Sequence, residues 1–149
     1  VLGRDARDVP AGQTRDYIFG YTILNDVSAR DVQTAHKQWY FGKSLDGFTP
    51  IGPCIVTADA FADYPPKLGI RSFVNGEKRQ DSNTALQIFD IDHVIAELSQ
   101  GMTLKAGTII ATGTPAGVGM GMDPPQFLKP GDVVRCEIEG IGTLTNPVK

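Results

Sequence analysis

Gly20-Tyr21-Thr22-Ile23-Leu24-Asn25-Asp26-Val27-Ser28-Ala29-Arg30-Asp31-Val32-Gln33 passes without a break from an apolar stretch into a polar one. With the preceding Tyr17-Ile18-Phe19, its first part is rich in aromatic and β-branched residues and predicts a buried strand near 18–25. Ser28, with Asp31 at the third position after it, reads as the N-cap of a short helix to about Lys37. Asp26 therefore falls at the end of a strand, where a side chain can project into a cleft. Arg30 and Gln33 share one face of the helix that follows. Gly42-Lys43-Ser44, a little further on, adds an amine to this set of acid, guanidinium and amide.

The rest of the chain supplies more strands. Ile51–Thr57 is one, with Pro53 placing its start at an edge or a bulge. Residues 68–74 and 77–81 flank Asn75-Gly76, the pair that tolerates the positive φ angles of a type I′ turn, and predict a hairpin. Asp90 to Gly101 is the clearest helix. Asp90 caps it, Ile91, Val94, Ile95 and Leu98 form one apolar face, and Gly101 stops it. Short strands are expected at 108–112, at 133–138 with one face wet, and near 143–148. Val1 to Pro10 reads as a loop. Seventeen glycines and ten prolines agree with a turn-rich fold. No repeat or linker divides the 149 residues, so the expectation is one mostly-β (α+β) domain with two short helices.

A net charge of −3 and the lack of a basic stripe argue against a nucleic-acid partner. No apolar run approaches the roughly 18 residues of a membrane span. Cys54 and Cys136 each lie in an apolar run and read as buried free thiols, which points to a reducing, cytoplasmic setting. Val1 is not an initiator methionine, so the natural start is expected upstream.

Asp26 is a hard oxygen donor of the kind that suits Mg²⁺, Mn²⁺ or Ca²⁺, although a turn or capping aspartate is the plainer account. Arg30 suits a substrate oxygen or a surface ion pair. Lys43 follows Trp39-Tyr40-Phe41, and beside apolar rings a lysine sheds hydration and becomes a better proton donor; the alternative is an exposed loop lysine. Thr112-Gly113-Thr114-Pro115-Ala116-Gly117-Val118-Gly119 follows a predicted strand but lacks the Gly-Lys-Ser/Thr ending of a phosphate loop. A turn whose backbone N–H groups and threonine hydroxyl meet a carboxylate is one reading, and a tight structural turn is the other. His36 and His93, the only histidines, receive no role, and no zinc spacing exists.

Taken together, the sequence resembles the fumarylacetoacetate hydrolase family. The resemblance rests on Gly20-Tyr21-Thr22, the run Asn25 to Gln33, Gly42-Lys43-Ser44-Leu45-Asp46, Gly52-Pro53, Val74-Asn75-Gly76-Glu77, Thr112 to Gly119, and Leu128-Lys129-Pro130-Gly131-Asp132, in the family's order from end to end. It implies a mixed β-sandwich roll, usually a homodimer, that binds Mg²⁺ or a similar ion (Mn²⁺ or Ca²⁺) and acts on acylpyruvates and related 2-oxo acids. It implies that Asp26 is one of three acidic metal ligands and that Arg30, Gln33, Lys43 and Thr114 face the substrate. The other two ligands in the family are a Glu-x-Glu pair on a strand just ahead of the segment that matches Val1-Leu2-Gly3, and alternate strand positions do point to one face. A His/Glu lid also lies upstream. The chain thus resembles the C-terminal portion of the catalytic domain, truncated on its N-terminal side.

The activity expected from the resemblance is metal-assisted hydrolysis of a C–C bond in a 2,4-dioxo acid. Lys43 would stabilise or protonate the enolate, Arg30 and Gln33 would bind substrate oxygens, and Thr114 would bind the carboxylate. Decarboxylation or tautomerisation of a 2-oxo diacid through the same enolate is the alternative. A third expectation is a β domain that is inactive by itself for want of metal ligands. Cytoplasmic residence is expected, or mitochondrial in a eukaryote.

Overall fold

In a computed structural model, the structure describes the backbone of all 149 residues and every side chain but that of His36. Six strands and two α-helices follow in the order β1 (Gly20–Leu24), α1 (Arg30–His36), β2 (Ile51–Thr57), β3 (Gly69–Val74), β4 (Glu77–Asn83), α2 (Ile91–Gly101), β5 (Val133–Ile138) and β6 (Gly142–Pro147). All pairings are antiparallel. β1 and β2 make a two-stranded sheet, and β4-β3-β5-β6 make a four-stranded one.

The hairpin β3–β4 forms because Asn75 and Gly76 accept φ of 52° and 83°, which gives the turn a twist that suits the strands. α2 begins where Asp90 accepts a hydrogen bond from the His93 N–H at 2.8 Å, satisfying one of the donors that a helix start leaves open. Gly101 lies inside the last turn, and the stop is made by Met102 in extended conformation.

Apolar side chains are shared between two cores. One fills the space between the sheets: Ile23 of β1 meets Leu144 of β6 and Ile141, with Val56, Phe61, Leu68 and Ile138 around them. The other packs α2 through Ile95 against Leu2, Ala6, Val9 and Leu104. The second core corrects the reading of Val1–Pro10 as a plain loop. Its backbone is irregular, but Leu2, Ala6 and Val9 are only 3%, 0% and 2% exposed. Charged residues between them hide this in the sequence. Single bridges, Leu2 to Ile18 and Ala6 to Leu104, anchor the segment in place of a ladder.

Two further expectations are corrected. Residues 108–112 form no strand: the Leu2 N–H donates to the Thr108 carbonyl at 2.9 Å and Ile110 packs on the α2 core, but among the described residues no ladder pairs the segment. A short apolar run becomes a strand only where a partner offers a ladder. Cys54 is also not buried. It lies in the edge strand β2 opposite the irregularity between Tyr21 and Ile23, where Thr22 Oγ1 donates to its carbonyl at 2.8 Å. Cys136 is half-buried, and both thiols are free. Among the described residues no helix is long and apolar enough to cross a membrane.

Candidate functional site

β1 ends at Leu24, and the chain then turns through Asn25–Ala29 before α1 begins. Asn25 N–H donates to the Pro50 carbonyl at 3.0 Å, which holds the loop against the approach to β2. The helix starts one residue later than the sequence suggests. Its N-cap is Ala29, which makes no side-chain cap. The Ser28 hydroxyl is used elsewhere: it receives a hydrogen bond from Lys43 Nζ at 3.0 Å and donates to the Asp26 carbonyl at 3.3 Å.

Lys43 reaches this loop because of Gly42. The turn at Phe41–Lys43 packs flush on the start of α1, where the Ala29 N–H donates to the Gly42 carbonyl at 2.8 Å. A Cβ at Gly42 would stand 2.9 Å from the Ala29 carbonyl oxygen and from the Gln33 backbone nitrogen and Cβ. Only glycine allows so close an approach. It delivers the ammonium of Lys43 to within 2.5 Å of Asp26 Oδ2. Trp39 and Tyr40, whose rings were expected to strip water from Lys43, are themselves mostly exposed. The environment of Lys43 is set by a carboxylate and a hydroxyl.

One turn along α1, an Arg30 guanidinium nitrogen donates to Gln33 Oε1. Gln33 is buried. With its amide oxygen facing Arg30, its N–H groups remain to be offered to a ligand. Asp26, Ser28 and Lys43 thus form one bonded group, and Arg30 with Gln33 forms a second on the helix that the same loop begins. Ser28 is a member that sequence reasoning had placed in another role. The spacing of Ser28 from Asp26 gave no signal, because its partner comes from the separate turn at Gly42.

Thr114 lies apart from both groups. Among the described residues no hydrogen bond or ion pair joins it to Asp26, Arg30 or Lys43. Its hydroxyl accepts a hydrogen bond from Gln80 Nε2 of β4 at 2.8 Å. Gly113 and Gly117 on either side have φ of 101° and 107°. At Gly117 a Cβ would lie 2.1 Å from the Arg79 carbonyl oxygen, so the loop lies flat on β4. Met122, further along the same loop, faces Arg79: a guanidinium N–H points at its sulfur at 3.0 Å. Met120 and Phe127 are about half exposed. His93 stacks on Phe89 at 4.8 Å between ring centroids, and the side chain of His36 lies outside the described residues.

The donor set within these residues does not complete a metal centre. Mg²⁺ and Ca²⁺ take six or more oxygen ligands, usually from more than one carboxylate. Asp26 stands here as the single acid of its cluster, already paired with a cation. Among the described residues no group of three or more His, Cys, Asp or Glu side chains comes together.

The sequence profile of the fumarylacetoacetate hydrolase C-terminal family matches residues 1–149. The oxaloacetate tautomerase YisK of Bacillus subtilis is 47% identical over 148 residues, 99% of this chain and 49% of that protein. Among solved structures, a fumarylacetoacetate hydrolase from Exiguobacterium antarcticum superposes with a TM-score of 0.96 at 52% identity, covering all of this chain and 53% of that one. A 5-carboxymethyl-2-hydroxymuconate delta-isomerase from Mycobacterium smegmatis gives 0.87 at 47% identity, over 99% of this chain and 54% of that one. The chain spans about half the length of the curated relatives it matches.

Proposed function

Because the chain belongs to the fumarylacetoacetate hydrolase family, we propose that the whole protein moves a proton at the carbon beside the keto group of a 2-oxo acid, a tautomerisation or isomerisation through an enolate. The observation that carries this reading is the Lys43 ammonium held at 2.5 Å from Asp26 and 3.0 Å from Ser28 on a partly open surface. A fixed ammonium stabilises negative charge developing on an enolate oxygen and can hand it a proton. Tautomerisation asks for no more than this, together with a base for the C–H proton. Hydrolysis needs an activated water as well. Arg30 and the amide N–H of Gln33 would bind substrate oxygens, and Thr114 would bind a carboxylate. The names of the Bacillus and Mycobacterium relatives, a tautomerase and an isomerase, support the same choice.

Hydrolysis of a C–C bond in an acylpyruvate is the second reading, favoured by the Exiguobacterium structure that carries the hydrolase name. The two share the enolate and differ in the bond that breaks to form it. A divalent cation, Mg²⁺ or in its place Mn²⁺ or Ca²⁺, belongs to the proposal for the whole protein. Asp26 would supply one oxygen ligand, and the others would come from beyond residues 1–149. A homodimer in the cytoplasm, or in the mitochondrion of a eukaryote, completes the reading. Such pairing, or the remainder of the protein, would cover exposed side chains such as Trp39, Tyr40, Ile88 and Phe89.

The test is to give the full-length protein enol-oxaloacetate and acetylpyruvate separately. Fast loss of enol absorbance without pyruvate release is the expected result. Stoichiometric acetate and pyruvate from acetylpyruvate would decide for the hydrolase, and inertness towards both would remove the reading.

A further inference from the structure

We propose that Gln80 is a positioning residue that makes Thr114 a hydrogen-bond donor towards the substrate carboxylate; this rests on the reading that Thr114 faces that carboxylate. Gln80 is on β4 opposite Ser72 of β3. Its side-chain amide is bonded on both ends. The Ser72 hydroxyl donates to Oε1 at 2.8 Å. Nε2 donates to the Pro115 carbonyl oxygen at 2.8 Å and to Thr114 Oγ1 at 2.8 Å.

These partners fix which way the amide points. A carbonyl oxygen can only accept, so the atom facing Pro115 must be the nitrogen. The same nitrogen then faces Thr114. Both of its hydrogens are used, and neither can be supplied to the substrate. Thr114 is left as the acceptor in that bond, and its own O–H hydrogen is free to point away from β4. Because Gln80 donates to this hydroxyl, the hydroxyl's own hydrogen is kept for another acceptor. A carboxylate, which only accepts when ionised, is the complementary ligand.

The backbone keeps this arrangement in register. With no side chain at Gly117, the loop seats on the Arg79 carbonyl, and a Cβ there would also come 3.1 Å from Gln80 Cγ. Gln80 itself is partly buried while Thr114 is exposed, so the amide acts from beneath and the hydroxyl faces outward. Gln80 does not touch the ligand; it acts through Thr114.

The experiment measures dissociation constants of the full-length protein for pyruvate and for neutral pyruvamide, in Thr114→Val, Gln80→Leu, Gln80→Glu and the Thr114→Val/Gln80→Leu double variant. Losing one hydrogen bond to a charged group should weaken pyruvate binding by roughly 10-fold. Gln80→Leu should weaken it by about 3- to 10-fold, and the double variant should be no worse than Thr114→Val alone. Gln80→Glu keeps the shape but presents a carboxylate that takes the Thr114 hydrogen for itself, and it should match Thr114→Val. Pyruvamide binding should change by less than about 2-fold throughout, which a merely loosened loop would not allow. Additive losses in the double variant, or equal losses for pyruvate and pyruvamide, would overturn the assignment of Gln80. An unchanged Thr114→Val, or an unaltered protein that ignores pyruvate, would remove the reading of Thr114 beneath it and this inference with it.

Discussion

Lys43 Nζ and Asp26 Oδ2 meet at 2.5 Å, with 31% and 43% of the two side chains still open to solvent. Ion pairs this exposed contribute about 0–1 kcal/mol, because water screens them and two mobile side chains must be held. The pair is therefore a poor stabiliser, and this separates its chemical role from its structural one. Lys43→Met in the full-length protein should shift the melting temperature by no more than a degree or two, while turnover of a 2-oxo acid falls by about 10²-fold or more. A variant that keeps its turnover would show that the proton travels by another route.

Gly42 makes the opposite prediction. In Gly42→Ala the added methyl would press on the Ala29 carbonyl and on Gln33 at 2.9 Å, against backbone that cannot step aside. Overpacking of this kind costs about 1–3 kcal/mol. Both stability and turnover should fall, because the turn that carries Lys43 is pushed off α1. Thermal melting and a rate assay on the same sample measure the two effects, and an unchanged melting temperature would mean that the approach of the two segments is looser than described.

Burial pushes the hydroxyl of Tyr21 up to about 12, with the phenol of Tyr64 nearby adding to the effect. The ring packs edge-on against Phe61 at 5.6 Å, beside the core between the sheets. The folded state thus favours neutral Tyr21. Its contribution to stability is whole below the ordinary tyrosine range near 10 and is lost as pH rises from there to about 12, where the unfolded chain ionises first. Absorbance at the tyrosinate band should show a late component that Tyr21→Phe removes. A native protein that completes its tyrosine titration near pH 10 would contradict this.

The two thiols should react in sequence. Cys54 is exposed on the edge strand, whereas burial pushes the Cys136 thiol up and keeps its thiolate scarce. With Ellman's reagent at neutral pH, one thiol should react fast and the second slowly or only on unfolding. Cys54→Ser should abolish the fast phase, and a fast phase that survives this change would reverse the order.

Much of the framework was legible because it is written locally. Asn75-Gly76 can do little but turn, Asp90 caps the helix that its apolar spacing announces, and Val133–Ile138 alternates as a half-wet strand must. Asp26, Arg30 and Gln33 are close in sequence and lie on one loop and the short helix after it, and Lys43 joins Asp26 from the turn at Gly42. What stayed hidden depends on partners distant in the chain. Ser28 resembles a cap until Lys43 arrives to use its hydroxyl. Residues 108–112 have the composition of a strand but no neighbouring ladder. Gln80 looks like any polar residue on a strand until the glycine-rich loop settles on it.

Leu2, Ala6 and Val9 enclose a core with Ile95 and Leu104, and the Ala6 N–H is bonded to the Leu104 carbonyl at 2.8 Å. For a chain emerging from the ribosome this imposes a wait. The segment that is made early finds its partners only after α2 and the turn beyond it have left the exit tunnel, and until then its apolar residues stay in water. Closing so long a loop costs entropy that only the completed core returns. Pulse-labelled amides on nascent chains of increasing length should therefore show Ala6 unprotected until Leu104 has emerged. Residues 2–9, though made before α2, would fold only after it.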